Sequence, residues 1–154
     1  MGSEMCIRDR FSPSWKNTQP VRYIVIDDPA LKERMARECI PGQGFNTKTI
    51  NRAAALAVIA YVPGLSGQGD APLTESQAAG WEMFDAGIAA QTFCLAARDL
   101  GIGTCILGIF DVGAAGRLLE LEGLRPACLI AMGYPEQWKN GPGRKETEEL
   151  LSFR

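Results

Sequence analysis

Residues 13–27 read Pro-Ser-Trp-Lys-Asn-Thr-Gln-Pro-Val-Arg-Tyr-Ile-Val-Ile-Asp. Two prolines bound a loop that carries a lysine followed by two amide side chains, and the β-branched, aromatic run Val21–Asp27 after it predicts a strand. The loop reads equally well in two ways. Asn and Pro both favour an ordinary turn; the same donors and acceptors, held rigid by proline, would also suit the edge of a planar heteroaromatic ligand. Outward from this stretch, Asp28 is a good N-cap with Pro29 in the first helical position, which predicts a helix to about Cys39. Pro41-Gly42-Gln43-Gly44 breaks it.

Ala55–Tyr61 is short, almost wholly apolar and stopped by Pro63-Gly64, the pattern of a buried strand. A Gly- and Pro-rich loop over 63–73 precedes a long helix capped by Thr74 or Ser76 and running to about Leu100, with Gly101 as its terminating glycine. Three- and four-residue steps predict a buried face of Trp81, Phe84, Ile88, Gln91, Leu95 and Asp99. Gly80, Ala86, Gly87, Ala89 and Ala90 between them would let another backbone approach closely, as in a central or dimer-contact helix. Thr104–Leu107 and Ala127–Met132 predict two more strands, separated by a capped helix over Asp111–Leu121. Strands alternating with helices imply α/β or α+β with a layered sheet.

The chain has 154 residues, 46% hydrophobic and 22% charged, with a formal net charge of −2. This suits one globular domain and offers no clustered basic face for nucleic acid. No apolar run is long enough for a membrane helix. The sequence contains no histidine, which removes Ser-His-Asp and Cys-His catalysis and most catalytic zinc sites. The five cysteines form no CxxC pair and read as small buried hydrophobes in a reducing, cytoplasmic setting. Gly101-Ile102-Gly103 follows a helix and precedes a strand, the reverse of the dinucleotide-binding order. The glutamates at 120, 122, 146, 148 and 149 read as solvated charge.

Five motifs in order resemble the FMN-dependent nitroreductase family. Pro13–Pro20 matches its Pro-Ser-x-x-Asn-x-Gln-Pro loop, and Asp85-Ala86-Gly87-Ile88-Ala89-Ala90-Gln91 with Leu95-Ala96-Ala97 matches its central helix. Gly101–Cys105 with Gly108–Asp111, then in part Leu129–Pro135, match its later strands, and Arg144-Lys145 with Leu150–Phe153 its tail. The resemblance implies an α+β, three-layer α/β/α fold with a mixed sheet, assembled as a homodimer. It implies FMN as cofactor and NADH or NADPH as co-substrate. Hydride would pass by a ping-pong mechanism to a small-molecule acceptor such as a nitroaromatic or quinone. No side chain is expected to be catalytic and no metal is implied, because the flavin carries the chemistry.

The resemblance also implies a cofactor site of Pro13, Ser14, Lys16, Asn17, Gln19, Leu107, Gly108, Ile109, Arg144 and Lys145. In it, Asn17 meets the pyrimidine edge, Lys16 adds positive charge, the backbone near Gly108 and Ile109 approaches N5 and O4, and Arg144 with Lys145 meets the phosphate. Many relatives carry Glu-Gly where this chain has Gly108-Ile109, a departure that bears on acceptor preference. The family's N-terminal Arg-Ser element has only a mimic here, Arg8-Asp9-Arg10-Phe11, too close to Ser14. Residues 1–10 are therefore expected to be a non-native or disordered leader, and 11–154 one domain lacking its N-terminal helical segment. Same-fold alternatives are enone reduction, flavin cleavage, or a flavin-binding or inactive interaction protein.

Overall fold

A computed structural model describes residues 10–42, 44–69, 73–138 and 141–154, so residues 1–9 of the expected leader lie outside the described residues. The elements are β1 (Val21–Ile26), α1 (Pro29–Arg34, extended by a π-helical turn, Met35–Cys39), α2 (Phe45–Arg52), β2 (Ala55–Tyr61), α3 (Glu75–Asp99), β3 (Gly103–Leu107), α4 (Val112–Leu118), β4 (Arg125–Gly133) and α5 (Thr147–Leu150). The caps are those the sequence advertises. Asp28 accepts from the Leu31 N–H at 2.9 Å and Asp111 from the Ala114 N–H at 2.8 Å. Thr74 forms a capping box with Gln77. Gly101, at φ +75°, closes α3 as a Schellman motif: its N–H donates to Arg98 O and that of Ile102 to Ala97 O.

The strand order is β1-β2-β4-β3. All three pairings are antiparallel, so the described sheet is not of the mixed kind expected. Helices cover both faces, which gives the three layers. Leu56 and Val58 face α1, α2 and α4, while Ala57, Ile59 and Tyr61 face α3. A strand covered on both sides reads as a continuous apolar run, the reason Ala55–Tyr61 lacks polar alternation. On the first face Lys32 is buried, and its Nζ donates to the carbonyls of Ala53 and Ala54 just past α2. Cation-to-carbonyl bonds of this kind satisfy a helix C-terminus.

The α3 helix corrects an expectation. Its buried face is Asp85, Ala86, Ala89, Ala90, Phe93, Ala96 and Ala97. Of the residues expected inside, Phe84 is 57% and Leu95 60% exposed, Gln91 and Asp99 are exposed, and Trp81 and Ile88 are only half-buried. Small side chains let the helix sit close on the sheet, and the large apolar residues are left outward. No disulfide joins the four described cysteines. Burial, with Cys94 nearby, pushes the Cys128 thiol up to about 11.

Candidate functional site

The loop before β1 folds as a tight turn, Trp15–Asn17, and then enters the sheet at the buried Pro20. Three of its residues lie in the left-handed region: Lys16 at φ +45°, Asn17 at +56° and Gln19 at +50°. Asn tolerates this region; Lys and Gln take it up at a cost that the surroundings must offset. Those surroundings are specific. The Trp15 N–H donates to both carboxylate oxygens of Asp85 at 3.1 and 3.0 Å, and its indole N–H donates to Gln68 O at 2.7 Å. The indole packs on Trp81 with ring centroids 4.6 Å apart. Ser14 Oγ accepts from the Gln19 N–H at 2.9 Å, and Pro20 O from the Val62 N–H at 3.0 Å. Pinned in this way, the loop leaves the side chains of Lys16, Asn17 and Gln19 exposed.

Beneath it lies a cavity of about 250 Å³, lined in part by Ser12, Ser14, Gln19, Arg22 and Asp85. Ser12 Oγ and Thr18 Oγ1 are buried without a hydrogen-bond partner among the described residues. The volume falls short of the roughly 300–1,000 Å³ of ordinary ligand pockets.

Gly108 and Ile109 follow Leu107 at the other edge of the sheet. Both are exposed, and open space surrounds the position a Cβ would take at Gly108. Ile109 O accepts from Asn46 Nδ2 at 3.2 Å, and the Asp111 N–H donates to Cys39 O at 2.7 Å, which ties this loop to α2 and to the π-helical turn. A single π turn of this kind is frequent at functional sites. A cavity of about 590 Å³ opens between Glu38–Pro41 and Gly108–Asp111. Hydrogen bonds from Arg34 and then Arg37 hold the Glu38 carboxyl below its ordinary range, and burial raises the Cys39 thiol.

Pairing fixes how the loops relate. Leu107 is level with Leu129, Val58 and Ile24, so Gly108 and the Pro13–Pro20 loop leave the same end of the sheet from opposite edges. Three strand intervals separate those edges, about 14 Å. The structure therefore gathers Pro13, Ser14, Lys16, Asn17 and Gln19 in one place and Leu107, Gly108 and Ile109 in another. Arg144 and Lys145 join neither. Arg144 donates to Pro142 O and Gly143 O, and Lys145 pairs with Glu149 at 3.7 Å in an exposed tail. Sequence reading missed the parts played by Asp85, buried in a run of alanines, and by Asn46, in a helix it did not anticipate.

The Nitroreductase family model matches residues 5–134. The oxygen-insensitive NADPH nitroreductase of Helicobacter pylori is 26% identical, aligned over 94% of this chain and 80% of its own length. A nitroreductase family protein from Streptococcus pneumoniae superposes with a TM-score of 0.85 at 20% identity, covering 100% of this chain and 90% of its own. A protein from Exiguobacterium sibiricum, solved in complex with FMN, superposes at 0.81 with 17% identity, covering 99% and 85%. Fold and loops together define the class, a three-layer α+β domain with two exposed loops at one end of its sheet. The chain belongs to the nitroreductase family, whose members use FMN with NAD(P)H.

Proposed function

We propose that this chain is an FMN-dependent oxidoreductase that takes hydride from NADH or NADPH and reduces a nitroaromatic, quinone or similar small molecule by ping-pong kinetics. It works in the cytoplasm as a homodimer. The observation that carries this reading is the loop: three left-handed residues present exposed amide and ammonium groups, in a chain of the nitroreductase family. The residues suit the cofactor. Among the described residues Ser12 Oγ and Thr18 Oγ1 have no hydrogen-bond partner, and the exposed Lys16, Asn17 and Gln19 match a flat ring with several polar edge atoms.

FMN, when bound, supplies the hydride chemistry and leaves the protein to hold and polarise it. Asn17 would hydrogen-bond the pyrimidine edge. Lys16 would set positive charge beside it. Pro13, Ser14 and Gln19 shape the loop that carries them. The backbone N–H groups at Gly108 and Ile109, after Leu107, would donate to the ring's other polar atoms. Arg144, with Lys145, would meet the phosphate as a guanidinium suited to paired contact.

The separation of the two loops in one protomer, and the outward Met83, Phe84 and Leu95 of α3, support a site completed across a dimer. Purified protein is titrated with FMN by flavin fluorescence and assayed with NADH and NADPH against a quinone and a nitroaromatic. Saturable binding with parallel-line kinetics is expected. No binding, or no acceptor-dependent oxidation of either nucleotide, would sink the reading.

A further inference from the structure

We propose that Asp85 is a positioning residue for the Pro13–Pro20 loop, holding the left-handed backbone that turns Lys16, Asn17 and Gln19 toward the cofactor; this rests on the FMN reading above. Asp85 is 1% exposed, on a helix face otherwise built of alanine and phenylalanine. For packing alone an alanine would continue that face at no cost, whereas a buried carboxylate is expensive unless hydrogen bonds compensate it. Its carboxylate accepts from the Trp15 N–H, which straddles both oxygens, and from the Ser66 hydroxyl, which donates to Oδ2 at 2.6 Å.

Each of these bonds leads to the loop. Trp15 immediately precedes left-handed Lys16, so fixing its N–H fixes where the turn begins. Ser66 is fully buried in the segment that also carries Gln68, the acceptor of the Trp15 indole N–H. That segment is seated on α3 by Gly67, at φ +74°, where any Cβ would collide with the backbone of Ala78. Asp85 thus joins α3, the 64–69 segment and the loop at one buried point, and a strained backbone persists only when its surroundings over-determine it.

The test uses the full chain with Asp85→Asn, an isosteric change that replaces one acceptor by a donor facing the Trp15 N–H. Three quantities are measured: FMN affinity by flavin fluorescence, melting temperature, and, without FMN, the rate of tryptic cleavage after Lys16 relative to cleavage after the exposed Arg52 of α2. Expected are an FMN Kd raised at least tenfold and cleavage after Lys16 accelerated at least tenfold, with cleavage after Arg52 unchanged. Ser66→Ala, which removes one of the carboxylate's bonds, shifts both in the same direction by less. Equal acceleration at Lys16 and Arg52 would mean that Asp85 merely supports the fold and would overturn the proposal, as would a folded variant unchanged at both Lys16 and FMN. If Asp85→Asn does not fold, Ser66→Ala decides: faster cleavage confined to Lys16 supports the proposal and an unchanged rate overturns it. Should the parent itself bind no FMN, the cofactor reading fails, and the cleavage ratio still judges whether Asp85 holds the loop.

Discussion

Truncating Phe84 to serine tests whether a second copy of the chain covers the outward face of α3. Phe84 is 57% exposed, and its ring meets Trp81 edge-on at 5.2 Å between centroids. A phenylalanine presents roughly 200 Å², so about 110 Å² remains open for a partner. At about 25 cal/mol per Å² this is worth about 2.8 kcal/mol per copy. A two-fold interface counts the same patch twice, which gives an upper bound of about 5–6 kcal/mol per dimer. Ordering costs and imperfect burial at an interface leave about half of that, and about 3 kcal/mol is more than a hundredfold in dissociation constant. Sedimentation equilibrium from nanomolar to tens of micromolar compares the parent with Phe84→Ser. The parent should be dimeric at micromolar concentration and the variant substantially monomeric there, with unchanged circular dichroism. A parent that stays monomeric at tens of micromolar, or a variant with the parent's dissociation constant, would refute the reasoning.

Asn17→Asp sets a carboxylate where the cofactor gains negative charge, and should cost about 2–4 kcal/mol of transition-state stabilisation; kcat/KM for NAD(P)H with a quinone then falls at least tenfold. Phe93 is fully buried and stacks on Tyr23 at 6.1 Å, so Phe93→Ala should lower unfolding free energy by about 3–5 kcal/mol in urea titrations. The Cys128 thiol titrates higher folded than unfolded, so its contribution to stability is complete below its ordinary value of 9.0 and is lost as pH rises toward about 11. Chemical unfolding between pH 8 and 11 should show stability falling by up to about 1.4 kcal/mol per pH unit above 9. Cys128→Ala should flatten that slope.

Where local chemistry decides structure, the sequence is readable. Asp28, Thr74, Asp111 and Gly101 each satisfy specific backbone groups, and all four terminate helices as expected. The runs at 21–26 and 55–61 are strands because nothing in them competes with that reading. Other features depend on what lies across a contact. Periodicity finds two apolar faces on α3 and favours the one with larger side chains, but the sheet selects the face that lets backbones approach, which is the alanine face. Phe45–Arg52 carries two asparagines and two threonines, poor helix formers, and becomes α2 because Thr47 and Ile50 are buried against its neighbours. The Asn loop could be identified by motif. Its pinning to Asp85 depends on how α3 packs beside it and its distance from Gly108 on strand order, neither of which shows as a local pattern in the sequence.

That strand order also governs how the chain can fold. The central pair, β2 with β4, joins segments separated by the whole of α3, β3 and α4. Closing so long a loop must precede the reward of pairing, which slows folding. During synthesis β2 emerges with the open edge that β4 will occupy, and nearly all of α3, β3 and α4 must follow before that edge is covered. An apolar strand with an unpaired edge is a template for aggregation. Crowded expression at high temperature should therefore send more of this chain into inclusion bodies than slow expression in the cold, a loss set by the timing of β4 rather than by the stability of the finished fold.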